Sequence, residues 1–283
     1  MKSVLLTGGT GFIGRNVVPI IGEKHRVFAP MRNELDLMSS KAIRNYIRAN
    51  DIDVLIHAAN PNPVKNPSFD SASRMCEDSL RMFLNVYQAR DDCEKVIYLG
   101  SGAEYDKRFD ISQIREADFG RSIPVDAYGL SKYVMTEIAR SSKNVFNLRV
   151  FACYGPDDHE TKFITHCIRS VLRGDPITIR QDCRFDYLHV YDLARVISSA
   201  VDNELAFHDY NVASGKRLTL SEIASAVMHL MNVDRPIRFL RDGLGKEYTA
   251  NVDRLACELG VFQSIGLQEG LAMQIEYETE ALG

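Results

Sequence analysis

Thr7-Gly8-Gly9-Thr10-Gly11-Phe12-Ile13-Gly14 is the stretch on which the reading of this chain turns. Ahead of it, Val4-Leu5-Leu6 is an apolar run of strand length. Behind it, Phe12, Ile13, Val17, Val18, Ile20 and Ile21 recur at the spacing of one buried helix face. Strand, glycine turn and helix together have the shape of a dinucleotide site. Gly8 permits the tight turn, Gly11 lets the backbone approach a pyrophosphate, and Gly14 lets helix and strand pack closely. The diphosphate would then rest on unpaired N–H groups at the helix N-terminus, where the dipole favours anions. The glycine spacing alone is a weak signal; the strand before it and the helical period after it make it strong.

Outward from that turn, strands and helices alternate. His25 to Ala29 reads as a second strand, and Pro19 should kink the first helix by removing an N–H. Ala42, Ile43, Tyr46 and Ile47 form a helical stripe behind a cap at Ser39 or Ser40. Val54 to His57 is a third strand, followed by a Pro- and Asn-rich loop at Asn60 to Pro67 and a long helix over Ser71 to Ala89. Lys95 to Leu99 is a fourth strand ending at Gly100-Ser101-Gly102; residues 127–141 form a helix and Val145 to Val150 a fifth strand. This rhythm predicts an α/β fold with a doubly wound parallel (Rossmann) sheet. After Tyr154-Gly155-Pro156 the rhythm loosens. A helix is predicted near 162–173, short strands near 177–179 and 186–190, and a helix near 191–201. A strand at Tyr210-Asn211-Val212 and a helix over Thr219 to Met231 follow. The expected division is a dinucleotide-binding domain at 1–150, with 184–205 returning to it. Residues 151–183 and 206–283 would form a smaller C-terminal α/β substrate lid over the strand ends, where ligands bind in such sheets.

The chain has 283 residues, 45% hydrophobic and 25% charged, with a net charge of −4. That suits one large or two smaller domains and argues against nucleic acid or an anionic membrane as a partner. No apolar run approaches the roughly 20 residues that span a bilayer. The N-terminus enters the first strand at once, without the pattern of a signal peptide, so a cytoplasmic protein is expected. Six scattered cysteines (76, 93, 153, 167, 183 and 257) form no Cys-x-x-Cys pair, which predicts free thiols and no metal.

Tyr128-Gly129-Leu130-Ser131-Lys132 sets a tyrosine and a lysine at i and i+4, on one helix face. A nearby ammonium favours the phenolate and should lower the Tyr128 pKa toward the range of a working acid/base. Such a pair alone is usually an accident of an amphipathic helix. Ser101, just past the fourth strand at the edge where the crevice opens, changes that reading, because its hydroxyl could bind a substrate oxygen beside Tyr128.

With those residues in view, the chain resembles the extended short-chain dehydrogenase/reductase family, in its branch of NAD(P)-dependent sugar-nucleotide epimerases, dehydratases and reductases. The matches are Thr7–Gly14, His57-Ala58-Ala59, Ser101 four before Tyr105, Tyr128-x-x-x-Lys132, and Leu148-Arg149 running to Tyr154-Gly155-Pro156. They continue through Asp186-Tyr187-Leu188-His189-Val190-x-Asp192-Leu193-Ala194 and Tyr210-Asn211-Val212-Ala213-Ser214-Gly215. The resemblance implies that Tyr128 is the catalytic acid/base and that Lys132 holds the cofactor ribose and tunes Tyr128. It implies that Ser101 orients the sugar oxygen, and that Gly8, Thr10, Gly11, Phe12, Ile13, Gly14, Ala58 and Ala59 line the cofactor. An NAD enzyme of this fold usually carries an acid at the end of strand two. Here that edge reads Ala29-Pro30-Met31-Arg32-Asn33, and Arg32 with Arg15 could clamp a 2′-phosphate instead. The segment Arg32-x-Glu34-Leu35-Asp36-Leu37 also resembles the family's NADPH-using reductases, with Asp36 and Leu37 near the adenine. NADP is therefore the expected cofactor, with NAD the alternative.

Departures from the family pattern narrow the chemistry. The Asp-Glu pair of the dehydratases is replaced by Gly102-Ala103, which removes dehydration, and Ala103 also replaces the cysteine of GDP-fucose synthases. His159 and Lys162 in the loop after Pro156 are candidate replacement acids, although a loop histidine is more often merely solvated. Ala152-Cys153 replace the asparagine before Tyr-Gly-Pro. The usual arginine before Asp-Tyr is Phe185, with Arg184 one place earlier, and in a strand that shift moves the side chain to the other face. Arg184 is the candidate contact for a nucleotide diphosphate. His57 and His189, among apolar neighbours, read as packed imidazoles, and no metal set is present. The expected activity is reduction of a 4-keto nucleotide-activated sugar. A nucleotide-sugar 4-epimerase without net redox change is the alternative, and a non-catalytic dinucleotide sensor, which needs no Ser-Tyr-Lys set, is less favoured. A homodimer is the common assembly among such relatives.

Overall fold

A computed structural model describes residues 1–62, 70–260 and 265–282. Six strands, β1 (Ser3–Thr7), β2 (Arg26–Phe28), β3 (Val54–His57), β4 (Lys95–Ser101), β5 (Val145–Val150) and β6 (Asp209–Val212), form one sheet in the order β6-β5-β4-β3-β1-β2. Every pairing is parallel. All residues of β3, β4 and β5 are buried, as befits strands covered on both faces. From β1 the chain crosses to β2 on one side and β3 on the other, so the sheet changes direction between β1 and β3. The carboxyl ends of those two strands, Thr7-Gly8 and His57-Ala58, open the crevice there.

Nine helices are assigned among the described residues: α1 (Phe12–Gly22), α2 (Ser40–Ala49), α3 (Met75–Gln88), α4 (Ala127–Ala139), α5 (Phe163–Arg173), α6 (Val190–Asp202), α7 (Leu220–Leu230), α8 (Asp253–Leu259) and α9 (Leu267–Leu282). Val17 and Ile21 of α1 pack with Leu193 and Ile197 of α6 on one face of the sheet. Ile43 and Ile47 of α2, Phe83 and Val86 of α3 and Met135 of α4 cover the other. A separate apolar cluster joins α5, α7 and α9 through Ile164, Ile168, Ile223, Val227 and Leu271. Helix α2 is capped by Ser39, whose side chain accepts from the Ala42 N–H. Pro19 leaves α1 continuous to Gly22.

Two expectations are corrected here. The strand at Tyr210–Val212 belongs to the central sheet as β6, paired with β5, and not to the lid in which residues 206–283 were placed. Several short strands also went unread. Ile111–Ile114, Tyr248–Ala250, Arg184–Phe185 and Leu218–Thr219 form a small four-stranded sheet, and Arg238–Leu244 pairs with Thr178–Asp182. Of the expected Asn60–Pro67 loop, residues 63–67 lie outside the described residues. Among the described residues no helix is long and apolar enough to cross a membrane, and no group of three or more His, Cys, Asp or Glu could hold a metal.

Candidate active site

The glycine turn has the shape its sequence suggested, and each glycine has a different neighbour. Gly8 has a φ of +79°, and a Cβ there would stand 2.7 Å from the Ala59 N atom. A Cβ on Gly14 would stand 2.3 Å from the Gly8 carbonyl oxygen, so the first turn of α1 presses on the loop itself. Gly11 is different: only the Gly8 oxygen, at 3.3 Å, would touch its Cβ. What needs a bare backbone at Gly11 must come from the open side. That side is a cavity of about 460 Å³ lined by Gly8, Thr10, Gly11, Phe12, Ile13 and Gly14, by Arg32, Asp36 and Leu37, and by Ala58 and Ala59. A long, bare-backbone groove at a helix N-terminus, walled by the ends of two parallel strands, fits a dinucleotide diphosphate.

The two arginines of the expected phosphate clamp part company. Arg32 lines the cavity and pairs with the buried Asp70 at 3.1 Å. Arg15 is not among the lining residues; it pairs at 2.6 Å with Asp157, which also accepts from the Tyr277 hydroxyl of α9. Asp158, His159 and Lys162 close the far wall. Burial pushes the Asp158 carboxyl up to about 7.

Ser101, Tyr128 and Lys132 meet at the end of β4. Asp126 caps α4 by accepting from the Gly129 N–H at 2.9 Å, which fixes Tyr128 in the first turn. Tyr128 lies beside Ser101, whose side chain works against the rise of the Tyr128 pKa. One turn on, the Lys132 ammonium donates to the Leu99 carbonyl at 2.8 Å and lies 5.9 Å from the centre of the Tyr128 ring. Burial brings Lys132 down to about 8, against the pull of Glu104. The expected lowering of Tyr128 is overturned. Burial, then the nearby Glu104 and Asp126 carboxylates, hold its phenol above the usual tyrosine range, with only Ser101 opposing. At neutral pH Tyr128 is thus a proton donor. His57, bonded to Thr7 at 2.9 Å, is pushed down to about 3 by burial and then by Lys132, so it stays neutral.

Two neighbours were not foreseen. The Tyr248 hydroxyl stands over this loop, 2.5 Å from where a Cβ on Gly102 would be, and Ser101 works against the burial that raises its pKa. Glu104, fully buried, accepts from the Ser101 N–H at 2.9 Å. The Ser101-x-x-Glu104 spacing of a capping box was a legible signal for the second; no local pattern marked the first. Arg184 is exposed on a short strand whose next residue, Phe185, stacks toward Tyr248 at 5.3 Å between ring centres. Alternation along the strand therefore points Arg184 away from Ser101 and Tyr128. Asp186 accepts from Ser214 Oγ at 2.6 Å and from the Ser214 and Gly215 N–H groups, tying two of the matched segments together.

The model of the NAD dependent epimerase/dehydratase family matches residues 4–213. GDP-L-fucose synthase of Azorhizobium caulinodans is 26% identical over 81% of each chain, and dTDP-4-dehydro-6-deoxyglucose reductase of Escherichia coli is 25% identical over 95% of each. The crystal structure of a GDP-L-fucose synthetase from Naegleria fowleri bound to NADP superposes with a TM-score of 0.85 at 16% identity, covering 99% of this chain and 93% of that one. The glycine turn, the β4 edge and the closing β6 strand all fall inside the matched span, and the chain belongs to the NAD-dependent epimerase/dehydratase family of enzymes.

Proposed function

We propose that this NAD(P)-dependent enzyme reduces the keto group of a nucleotide-activated sugar, a 4-keto sugar foremost, with NADPH. The observation that carries the reading is the meeting of Ser101 and Tyr128 at the β4 edge, with Lys132, which donates to the Leu99 carbonyl, one helical turn beyond. The nicotinamide supplies the hydride. Tyr128, held protonated by burial, gives its proton to the carbonyl oxygen, and Ser101 donates a hydrogen bond to the same oxygen. The Lys132 charge then stabilises the tyrosinate until solvent returns the proton. The neutral His57 adds no competing charge behind Lys132. The small layer of α5, α7 and α9 would hold the nucleotide sugar over the strand ends.

NADPH is favoured by Arg32 on the cavity wall, by the lack of an acid at the end of β2, and by the NADP bound to the Naegleria relative. The test is Tyr128→Phe assayed with NADPH and a panel of 4-keto nucleotide sugars. Loss of about 10²–10⁴ in kcat with an unchanged fold is expected, and intact turnover would refute the mechanism. NAD⁺ that survives dialysis, with interconversion of sugar epimers and no net cofactor oxidation, would replace the reductase reading by the epimerase one.

A further inference from the structure

The loop that carries Ser101 holds a carboxylate that the proposed chemistry leaves unused. Glu104 is fully buried and accepts from the Ser101 N–H at 2.9 Å, Thr136 Oγ1 at 2.8 Å, Arg149 Nε at 2.7 Å and Asn147 Nδ2 at 3.2 Å. Those donors belong to the end of β4, to α4 and to β5. Thr136 lies one turn beyond Lys132, so a single carboxylate joins the Ser101 strand end to the helix of Tyr128 and Lys132. The packing leaves no slack, since a Cβ on Gly100 would stand 2.4 Å from Glu104 Oε1.

Charge balance points the same way. Arg149, also fully buried, bridges Glu104 to Asp209 at 3.0 Å; Arg254 bridges Asp209 at 2.7 Å to Glu116 at 3.9 Å. Three carboxylates against two guanidiniums leave one negative charge in this connected set, and Glu104, one turn along α4 from Lys132 through its bond to Thr136, raises the Lys132 pKa against burial. The other groups around Lys132 are the neutral His57 from β3, the Leu99 carbonyl from β4 and Tyr128 on its own helix, with Asp126 and Tyr248 beyond Tyr128.

We propose that Glu104 is a positioning residue: its carboxylate clips the Ser101 strand end to the catalytic helix and supplies the buried negative charge that favours the Lys132 ammonium. The inference rests on the proposed roles of Ser101, Tyr128 and Lys132. Its test is NMR titration of ¹³Cε-labelled lysine in the full chain, with Lys132→Met assigning the resonance. Glu104→Gln should lower the Lys132 midpoint by about one pH unit, and Glu104→Asp should restore it. Thr136→Val, which loosens the clip but keeps the charge, should lower kcat and leave the midpoint in place. If Glu104→Gln fails to fold because Arg149 is left alone, the double variant Glu104→Gln/Arg149→Met compared with Arg149→Met alone isolates the carboxylate, and the Lys132 midpoint should be lower in the double variant. An unmoved Lys132 midpoint in either comparison overturns the proposal. Retained turnover in Tyr128→Phe would instead refute the catalytic reading alone, because the titration needs no turnover.

Discussion

Replacing Gly14 and Gly11 separately by alanine should divide stability from cofactor binding. In Gly14→Ala the new methyl would lie 2.3 Å from the Gly8 oxygen and 2.6 Å from Gly9 Cα, both backbone atoms of a tight turn. Restoring an ordinary contact of about 3.4 Å requires the turn to retreat by about 1 Å. Overpacking of that kind costs about 1–3 kcal/mol, and at about 2 kcal/mol a domain of this size should lose roughly 4–8 °C in Tm. Gly11→Ala meets only one atom, at 3.3 Å, and its backbone (φ −81°, ψ 169°) is open to any residue. Its folded-state cost should stay within about 1 kcal/mol. Its methyl, however, projects into the groove where a diphosphate must approach, so NADPH affinity should fall by about tenfold or more, about 1.4 kcal/mol. Thermal melts without ligand, paired with fluorescence titration of NADPH, measure both quantities. A Gly11→Ala melt as low as that of Gly14→Ala, or wild-type NADPH affinity in Gly11→Ala, would refute the assignment of the groove.

Arg32→Ala should weaken NADPH by about tenfold while leaving NADH unchanged; equal losses for both cofactors would show that the Asp70-paired guanidinium carries no 2′-phosphate. Asp158 gives a pH signature, because its folded pKa of about 7 lies above the ordinary 3.8. Its stabilising contribution is present in acid and lost as pH climbs through 7. Asp158→Asn should therefore melt a few degrees (roughly 3–8 °C) above the parent at pH 8 and by clearly less at pH 5. A gain that is the same at both pH values would mean that the burial of Asp158 is not what raises its pKa.

What the sequence made legible follows from how each signal is stored. Parallel strands covered on both faces are continuous apolar runs, so Val54–His57 and Val145–Val150 were placed to the residue. The Tyr210–Val212 strand was recognised as a strand and assigned to the wrong layer, because its apolar pattern does not name its partner, Val145–Val150, about 60 residues earlier in the chain. Tyr248 was invisible for a related reason. A three-residue strand shows no period, and the Tyr248 approach to Ser101 exists only once the small sheet has assembled. The error over Tyr128 was one of magnitude rather than geometry: the lysine is where the spacing put it, but burial outweighs it, with Glu104 and Asp126 adding to the rise. The partner of Arg15 was not legible either, because Asp157 lies far along the chain.

The bridge from Arg149 to Asp209 also has a meaning in time. Strands β1 to β5 leave the ribosome well before residues 209–212, and a nascent sheet ending at β5 already contains Glu104 and Arg149. Until β6 docks, that guanidinium has one carboxylate and an open sheet edge beside it. The arrival of β6 gives that guanidinium its second carboxylate and pairs the edge of β5 in a single step. A translation product halted before β6 would thus retain the glycine turn yet leave the far side of that guanidinium without Asp209 and the β5 edge unpaired.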